Sequence, residues 1–259
     1  MKEFAYKKSL GQNFLKDKSV INKIIDSADI TVDSLILEIG PGSGALTKEL
    51  VKTKGKVVAF EIDERLKEEL SKIESNNLEV IYGDFLKVDL KEVLNKYNYK
   101  KLHLIANLPY YITTPIIMKI INETKIDEMI IMVQKEVGSR FKAKPNTKEY
   151  NSLSVFLQYY FDIKTVTIVN KNSFVPKPKV DSIVVRFSKK YNKIKANNEK
   201  VFFKLVKDSF TFKRKNLKNN LKGYDLNKIN IILNKFNKDL TFRAESLSLE
   251  EFIEISNNI

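Results

Sequence analysis

A short apolar run that leads straight into a glycine cluster limits the possible folds of this chain more than any other feature. The run is Leu35–Ile39, and Gly40, Gly42 and Gly44 follow it at alternate positions. Such glycines let the backbone turn tightly and approach a ligand without interference from a Cβ atom. Ligands of open α/β sheets bind at the carboxyl ends of the strands. The segment therefore predicts a strand, a ligand-binding turn and the start of a helix.

Strand-like and helical segments alternate through the first two-thirds of the chain. This alternation predicts an α/β fold with a mostly parallel sheet that is covered by helices on both faces. The predicted strands are Leu35–Ile39, Lys56–Ile62, Leu78–Tyr82, Leu102–Ala106, Met129–Gln134, Ile163–Val169 and Ser182–Phe187. The predicted helices are Leu46–Val51, Asp63–Ser71, a helix with Pro115 in its first turn that runs to about Ile121, and Asn151–Tyr160.

The last third of the chain has a different character. The segment Ser188–Lys200 is polar, rich in Lys and Asn, and without apolar periodicity, which is typical of a linker. Beyond it, apolar residues recur at helical spacing, as at Leu205 and Val206, then Ile232 and Leu233. We therefore predict an α/β domain over residues 1–188 and a small helical domain over residues 189–259.

The positive charge is concentrated in this last third. The whole chain carries a net charge of +14. Residues 1–170 hold 26 Lys and Arg against 23 Asp and Glu, whereas residues 171–259 hold 20 against 9. A compositional drift toward lysine would raise the charge everywhere and does not explain the asymmetry. The pattern predicts a polyanionic partner, a nucleic acid, held largely by the C-terminal third.

Several classes of protein are excluded by composition. The chain has no cysteine and a single histidine, His103, so disulfides, cysteine nucleophiles and Cys- or His-based metal sites are ruled out. His103 lies within an apolar strand and is interpreted as a core residue. No apolar run approaches the roughly 18 residues of a membrane span, and no apolar signal core precedes the first motif. We expect a cytoplasmic protein without membrane contact and without a metal.

Carboxylates end the next two predicted strands. Glu61 can accept hydrogen bonds from both hydroxyls of a ribose, and Asp84 can accept from an adenine amino group while Phe85 packs on the ring. Taken singly, each carboxylate could be a solvated side chain. The glycine spacing differs from the dinucleotide pattern, and no Lys-Ser/Thr pair follows as in phosphate-binding loops. Three consecutive strand ends with suitable groups predict a site for a cofactor that contains adenosine.

A fourth strand end carries the sequence that points to a reaction. Asn107-Leu108-Pro109-Tyr110 resembles the Asn/Asp-x-Pro-aromatic motif of amino-group methyltransferases. With the further segments given below, nearly the whole chain resembles the small-subunit ribosomal RNA adenine dimethyltransferases. One departure is Asn151, which stands where a glycine is expected and affects only the local loop geometry. The further segments are Gly11–Leu15, Leu37–Gly44, Tyr110–Pro115, Val133–Val137, Phe174–Ser182, Lys213–Leu221 and Arg243–Ser248.

The resemblance implies a Rossmann-like class I methyltransferase fold, with S-adenosylmethionine as the cofactor and a helical domain that docks ribosomal RNA. It further implies methylation of N6 on two adjacent adenosines in the 3′-terminal hairpin loop of small-subunit (16S) RNA, within ribosome biogenesis, by a monomer. It places Gln12, Asn13 and Leu15 around the cofactor. The predicted cofactor-binding residues are Gln12, Asn13, Leu15, Gly40, Gly42, Glu61, Ile62, Asp84, Phe85 and Asn107.

The chemistry explains why these residue types follow the fourth strand. The lone pair of adenine N6 is delocalised into the ring, so the amine is a poor nucleophile. The amide oxygen of Asn107 and the backbone carbonyl of Leu108 can accept both N6 hydrogens and favour a tetrahedral nitrogen. The sulfonium methyl is already activated, so most of the catalysis is positioning.

The target base must leave its stack to reach this turn. Extrusion costs on the order of a few kcal/mol, and stacking on an aromatic ring returns roughly 1–3 kcal/mol. Tyr110 can supply one face, with core packing as the alternative, and the resemblance suggests Phe174 for the other. Tyr111 is interpreted as a core residue. The predicted catalytic residues are Asn107, Leu108, Tyr110 and Phe174.

A basic cluster in the last third is the predicted RNA contact. Lys213, Arg214, Lys215 and Lys218 are close in sequence, and a surface that contacts phosphates is preferred over an ordinary solvated face. Two alternative functions stay open. One is the large-subunit (23S) adenine methyltransferase of the macrolide-resistance type, and the other is a ribosome-assembly factor without catalysis.

Overall fold

The computed structural model describes residues 12–191 and 194–259, so Gly11 of the first motif lies outside the described residues. The contacts divide the chain into two compact units. The first comprises the described part of residues 1–138 together with 164–189, and the second comprises the described part of 139–163 and 190–259. Residues 139–163, which the sequence analysis assigned to the first domain, are therefore grouped with the C-terminal helices.

A seven-stranded sheet in the order β4-β3-β2-β5-β6-β9-β7 organises the first unit. Strands β4, β3, β2, β5 and β6 run parallel to one another. Strand β9 pairs with β6 in antiparallel fashion. The predicted mostly parallel α/β fold is confirmed. The strands are β1 Phe14–Leu15, β2 Ser34–Ile39, β3 Lys56–Glu61, β4 Leu78–Tyr82, β5 Lys101–Asn107, β6 Glu128–Gln134, β7 Phe161–Val169, β8 Phe174–Val175 and β9 Ser182–Lys189.

Side-chain caps begin most of the longer helices. Asp17 accepts from the backbone N–H groups of Ser19 and Val20, and Asn198 caps its helix in the same way. Asn151, the departure from the expected glycine, adopts an extended backbone and forms a capping box with Ser154. The helices are α1 Lys18–Asp26, α2 Thr47–Leu50, α3 Lys67–Ser71, α4 Leu90–Leu94, α5 Thr113–Glu123, α6 Lys135–Phe141, α7 Ser152–Tyr160, α8 Glu199–Ser209, α9 Leu217–Asn220, α10 Leu226–Asn234 and α11 Leu249–Asn257.

Central strands of the sheet are buried on both faces, as expected for parallel strands covered by helices. All six residues of β2 are buried. A second, two-stranded sheet pairs β1 with β8 in antiparallel fashion, so that Leu15 lies opposite Phe174. This pairing brings the first motif of the chain to the segment that follows β7.

The second unit has its own apolar core. Tyr150, Val155 and Tyr159 pack into one buried cluster with Phe202 and Phe252. Tyr159 and Phe202 lie with their ring centroids 4.8 Å apart. This shared burial is the physical reason why residues 139–163 belong with the C-terminal helices.

Local differences from the predictions lie at element ends and in short elements. Strand β9 continues to Lys189 and α8 begins at Glu199, so the predicted linker is shorter than 188–200. The helix α1 and the shorter elements α4, α6, β1 and β8 were not among the predicted elements, and the last four are too short to show a period. Across the part of the chain that the structure describes, no helix is long and apolar enough to span a membrane.

Candidate active site

A pocket opens in the first unit at the carboxyl ends of β2, β3 and β5, with the segment after β4 on one side. The glycine turn after β2 and the turn after β5 face each other across it, and residues 12–15 line it as well. Of the predicted cofactor residues, all but Asp84 line this pocket. The lining residues nearest the strand ends are Glu38, Gly40, Gly42, Glu61, Ile62, Phe85, Asn107 and Tyr110.

The glycine turn needs its glycines for backbone conformation. Gly40, Gly42 and Gly44 have φ values of 68°, 59° and 75°, in the left-handed region that other residues rarely adopt. A Cβ atom on Gly42 would lie 2.7 Å from Cε1 of Phe14, a pocket-lining ring. Gly40 N donates to Phe60 O at 2.9 Å, which ties the turn to the end of β3.

Glu61 is fixed by two backbone hydrogen bonds at the floor of the pocket. Its Oε2 accepts from Gly42 N at 3.0 Å, and its Oε1 accepts from Asp63 N at 2.8 Å. The side chain is buried, and burial raises the pKa of the carboxyl above its usual value. The two bonds hold the carboxylate in one orientation, so it can receive a pair of hydroxyls without reorganisation.

Glu38 is a site residue that the sequence analysis missed. It is 1% exposed, and burial raises its pKa to about 8. Its Oε2 has no hydrogen-bond partner among the described residues, although it lines the pocket. A buried carboxyl oxygen without a hydrogen-bond partner is costly unless a ligand supplies one. The available signal was one acidic residue inside an otherwise apolar strand.

The N-terminal segment is tied to the pocket by two side-chain contacts. Gln12 Nε2 donates to Asp63 Oδ2 at 2.7 Å. Asn107 Nδ2 donates to Asn13 O at 3.0 Å across 94 positions of sequence. Because the amide nitrogen of Asn107 is held in this way, its Oδ1 is the atom left to accept from a substrate. The structure thus adds a direct contact between Asn107 and the first motif, which the sequence analysis did not predict.

The turn after β5 orients two tyrosines differently. The Tyr110 hydroxyl lies 2.7 Å from Ser182 Oγ, and the ring lines the pocket. Tyr111 is 55% exposed and also lines the pocket, so its interpretation as a core residue is wrong. The side chain of Leu108 is buried, which has no bearing on the role predicted for its backbone carbonyl.

Two predicted residues stand elsewhere. Phe174 is 2% exposed and packs in a buried cluster with Leu15 and Val20, outside the pocket lining. Pairing of β8 with β1 places this ring in the core, so the pocket lining does not support the expected stacking role of Phe174, which stays a prediction. Asp84 flanks the pocket, and its Oδ1 accepts from Leu86 N at 3.0 Å as a helix cap.

His103 is a core residue, as predicted. It is 1% exposed, its Nε2 lies 3.0 Å from Ser34 Oγ, and its Nδ1 lies 3.2 Å from Glu128 Oε2. All three residues are near the amino ends of their strands, the opposite edge of the sheet from the pocket.

The predicted RNA-contacting residues belong to the second unit. Lys213, Arg214 and Lys215 are exposed on the loop between α8 and α9, and exposed Lys218 lies in α9. Lys213 Nζ also donates to Lys148 O at 3.2 Å. This unit holds 19 Lys and Arg against 10 Asp and Glu, so the charge asymmetry follows the structural division.

Comparisons with known proteins identify a family that matches this chain. The family model for ribosomal RNA adenine dimethylases matches residues 3–259. The protein named ribosomal RNA small subunit methyltransferase A from Bacillus cereus strain B4264 is 46% identical, over 98% of this chain and 91% of the relative. The protein of that name from Bacillus mycoides is also 46% identical over the same shares.

Solved structures show the same architecture. A dimethyladenosine transferase from Plasmodium falciparum superposes with a TM-score of 0.78 at 27% identity, covering 93% of this chain and 95% of that one. The 23S rRNA methyltransferase ErmE superposes with a TM-score of 0.76 at 25% identity, covering 95% and 99%. The fold is that of class I methyltransferases. Because the family model spans nearly the whole chain, this protein belongs to the ribosomal RNA adenine dimethylase family.

Proposed function

We propose that this protein transfers methyl groups from S-adenosylmethionine to N6 of two adjacent adenosines in the 3′-terminal hairpin loop of small-subunit (16S) ribosomal RNA. It would act as a monomer in the cytoplasm, where small subunits are assembled. The observation that carries the proposal is the fixed amide of Asn107, held by Asn13 O in the lining of a pocket that also holds the buried carboxyl of Glu38.

The pocket residues fit S-adenosylmethionine. The glycine turn offers a surface without Cβ atoms, and Glu61 presents a fixed carboxylate suited to ribose hydroxyls. Phe85, packed edge-on against Phe60 at 5.1 Å between centroids, offers an apolar surface for an adenine ring. Glu38 adds a buried carboxyl oxygen without a hydrogen-bond partner, and a cationic ligand would favour its ionised form. When bound, the cofactor supplies an activated methyl group.

The chain's own contribution to the reaction is positioning. Asn107 Oδ1 and the carbonyl of Leu108 would accept the two N6 hydrogens and direct the nitrogen lone pair away from the adenine ring. A carbon–nitrogen bond forms as the carbon–sulfur bond breaks, and the surplus N6 proton leaves to water. No strong base is needed, in keeping with a turn that carries an amide rather than a carboxylate.

Tyr110 would stack on the extruded adenine. Its hydroxyl is held by Ser182, so the ring has little freedom to rotate out of the pocket wall. Roughly 1–3 kcal/mol per stacked base is enough to offset much of the cost of extrusion. Methylated N6 is larger by one methyl group, so the same pocket must admit it for the second transfer.

Small-subunit specificity rests on the relatives at 46% identity, whose names give that substrate. The similarity to ErmE does not separate the two substrates, because the fold and the turn after β5 suit both. Mass spectrometry of both ribosomal RNAs after incubation with protein and S-adenosylmethionine separates them. We expect dimethyladenosine in small-subunit RNA only. Methylated adenosine found only in large-subunit RNA would contradict the proposal.

Asn107→Ala tests the catalytic assignment within the same assay. The variant should lose methylation by at least about two orders of magnitude, since positioning groups of this kind contribute several kcal/mol. Its cofactor affinity, measured by calorimetry, should fall much less than its activity, because Asn107 is one of several predicted cofactor-binding residues. A variant with full activity would overturn the role of Asn107. A wild-type protein that binds RNA but transfers no methyl group would instead support an assembly factor without catalysis.

RNA binding is proposed for the second unit and cofactor binding for the first. The support is the distribution of charge and pocket residues between the units, with the basic cluster Lys213–Lys215 exposed on one unit and the pocket built wholly within the other.

A further inference from the structure

The loop between α8 and α9 presents an aromatic ring beside the cations of the proposed RNA surface. Phe212 is 61% exposed, and the three basic residues that follow it, Lys213–Lys215, are exposed as well. A single exposed apolar side chain is ordinary on a protein surface. A large ring followed directly by three cations is less common than a single exposed apolar side chain. It places an apolar face next to charged groups that must stay hydrated.

The side chain of one part-buried asparagine, Asn220, fixes the backbone of this loop through hydrogen bonds. Asn220 Oδ1 accepts from Phe212 N at 3.2 Å, and Asn220 Nδ2 donates to Ser209 O at 2.7 Å and to Phe212 O at 3.3 Å. Lys215 N closes the turn by donating to Phe212 O at 2.8 Å. The backbone that carries the ring is therefore fixed on both sides, so little conformational entropy is lost when a ligand binds there.

A second exposed ring lies on the adjoining segment. Leu217 N donates to Phe242 O at 2.8 Å, which ties the start of α9 to the segment that carries Phe242 and Arg243. Phe242 is 38% exposed, and Arg243 is exposed beside it. The pattern of an aromatic ring followed by a cation thus occurs twice on neighbouring loops of the second unit.

We propose that Phe212 is a stacking platform for an unpaired base of the bound RNA, with Lys213, Arg214 and Lys215 on the adjoining phosphates. The inference rests on the proposed function only in taking RNA as the partner. Single-stranded nucleic acid is bound by this combination of aromatic faces and basic side chains, because each nucleotide offers both a base and a phosphate. An apolar protein surface fits less well, since docking on the ring would strip water from three neighbouring charges without pairing them.

The proposal predicts two separable contributions to RNA affinity. Contacts to phosphates release counterions and make the affinity fall with salt, whereas stacking on a ring does not. Removing the Phe212 ring should lower the affinity and leave the salt slope as it is. Neutralising the three cations should lower both the affinity and the slope.

The test compares Phe212→Ala with wild type on a single-stranded oligoadenylate and on an RNA duplex with the same number of phosphates. We expect the affinity for the single strand to fall roughly 5- to 150-fold, the range for one stacked base, with an unchanged salt slope. Affinity for the duplex should be unchanged. Phe212→Trp should retain single-strand affinity, because it keeps an aromatic face.

The matched control is Ile231→Ala, which removes an apolar side chain that is 65% exposed in α10 of the same unit. It should leave both affinities unchanged, and thermal unfolding should show that all variants fold. Equal losses on duplex and single strand, or no loss on either, would overturn the stacking role. Methylation of small-subunit RNA by the wild-type protein is measured separately, so failure of the stacking role and failure of the proposed function are distinguishable.

Discussion

Buried carboxylates near the glycine turn set the chemistry of the site at the scale of single residues. Glu38 and Glu61 are both less than 5% exposed, and burial raises the pKa of each. They differ in their partners. Glu61 accepts two backbone hydrogen bonds, whereas one oxygen of Glu38 has no partner among the described residues. Glu38 is therefore the residue whose protonation should respond most to pH and to a cationic ligand.

The stability of the ligand-free protein should fall as the pH rises from about 4.5 to about 8, in part because of Glu38. The unfolded state releases this proton near pH 4.5, and the native state keeps it to about pH 8, so the unfolded state is favoured across that window. Urea unfolding at several pH values should show a flatter dependence for Glu38→Gln. The raised pKa of Glu61 acts in the same direction and leaves part of the slope.

The control for this experiment is Glu68→Gln, whose side chain is 89% exposed and should leave the pH dependence as it is. If Glu38→Gln retained the full wild-type slope, Glu38 would not be protonated in the native state at neutral pH.

Ser182 should act as a positioning residue through Tyr110. Ser182→Ala removes the 2.7 Å hydrogen bond and leaves the tyrosine hydroxyl without its partner. We expect kcat/KM for RNA methylation to fall about tenfold, equivalent to the ~1.4 kcal/mol of one such bond, because the ring is then free to rotate. Cofactor affinity should not change.

Tyr110→Phe is the paired variant for this test, since it removes the hydroxyl and retains the ring. It should destabilise the fold at least as much as Ser182→Ala does, because it leaves the hydroxyl of the fully buried Ser182 without its partner, whereas the Tyr110 hydroxyl belongs to a part-buried residue of the pocket lining. Wild-type methylation kinetics in Ser182→Ala would show that the hydrogen bond serves stability alone.

At the scale of elements, the short helix α6 comes unusually close to β9. A Cβ atom on Gly138 would overlap Ile183 Cγ2 and would lie 3.1 Å from Val185 Cγ2 and 3.3 Å from Val133 Cγ2. Two of these atoms belong to β9 and one to β6, so the helix packs against the sheet through a residue without a side chain. This close approach is an element-level requirement that helical periodicity does not reveal.

Gly138→Ala should therefore lower the free energy of unfolding by up to about 2 kcal/mol. Overpacking of this kind costs about 1–3 kcal/mol, of which the better helix propensity of alanine offsets about 1 kcal/mol. Gly223→Ala is the matched control, because no atom lies within 4 Å of its added Cβ, and it should be neutral or slightly stabilising. Equal unfolding midpoints in urea for the two variants would contradict the packing argument.

At the scale of the whole molecule, the two units divide the charge and the pocket between them. All residues that line the pocket belong to the first unit, and the second unit holds 19 basic residues against 10 acidic ones. Cofactor affinity and RNA affinity should therefore respond to different sets of substitutions. This separation is the basis for the roles proposed for the two units.

Replacing Lys213, Arg214 and Lys215 together by Gln should weaken binding to small-subunit RNA. The slope of log affinity against log salt should become shallower by about 2, at roughly 0.7 per phosphate contact. Cofactor affinity, measured by calorimetry, should be unchanged. An unchanged salt slope would place the phosphate contacts on other residues, while a loss of cofactor affinity would contradict the division between the units.

The sequence by itself determined the class of fold, the positions of the main strands along the chain, the glycine turn and the pocket residues at three strand ends. These features depend on local backbone preference and on the period of apolar residues. Both are properties of a few neighbouring positions in the sequence. The same kind of signal identified His103 as a core residue and the exposed cations of Lys213–Lys215.

Only the tertiary structure decided which of these segments meet. Pairing of β1 with β8 turned Phe174 into the core, and the turn after β5 left Tyr111 exposed at the pocket. Residues 139–163 pack with the C-terminal helices and so belong to the second unit. The hydrogen bond from Asn107 to Asn13 O, across 94 positions, fixed the amide of Asn107. Burial and hydrogen bonding of this kind depend on residues far apart in the chain, so no local pattern can encode them.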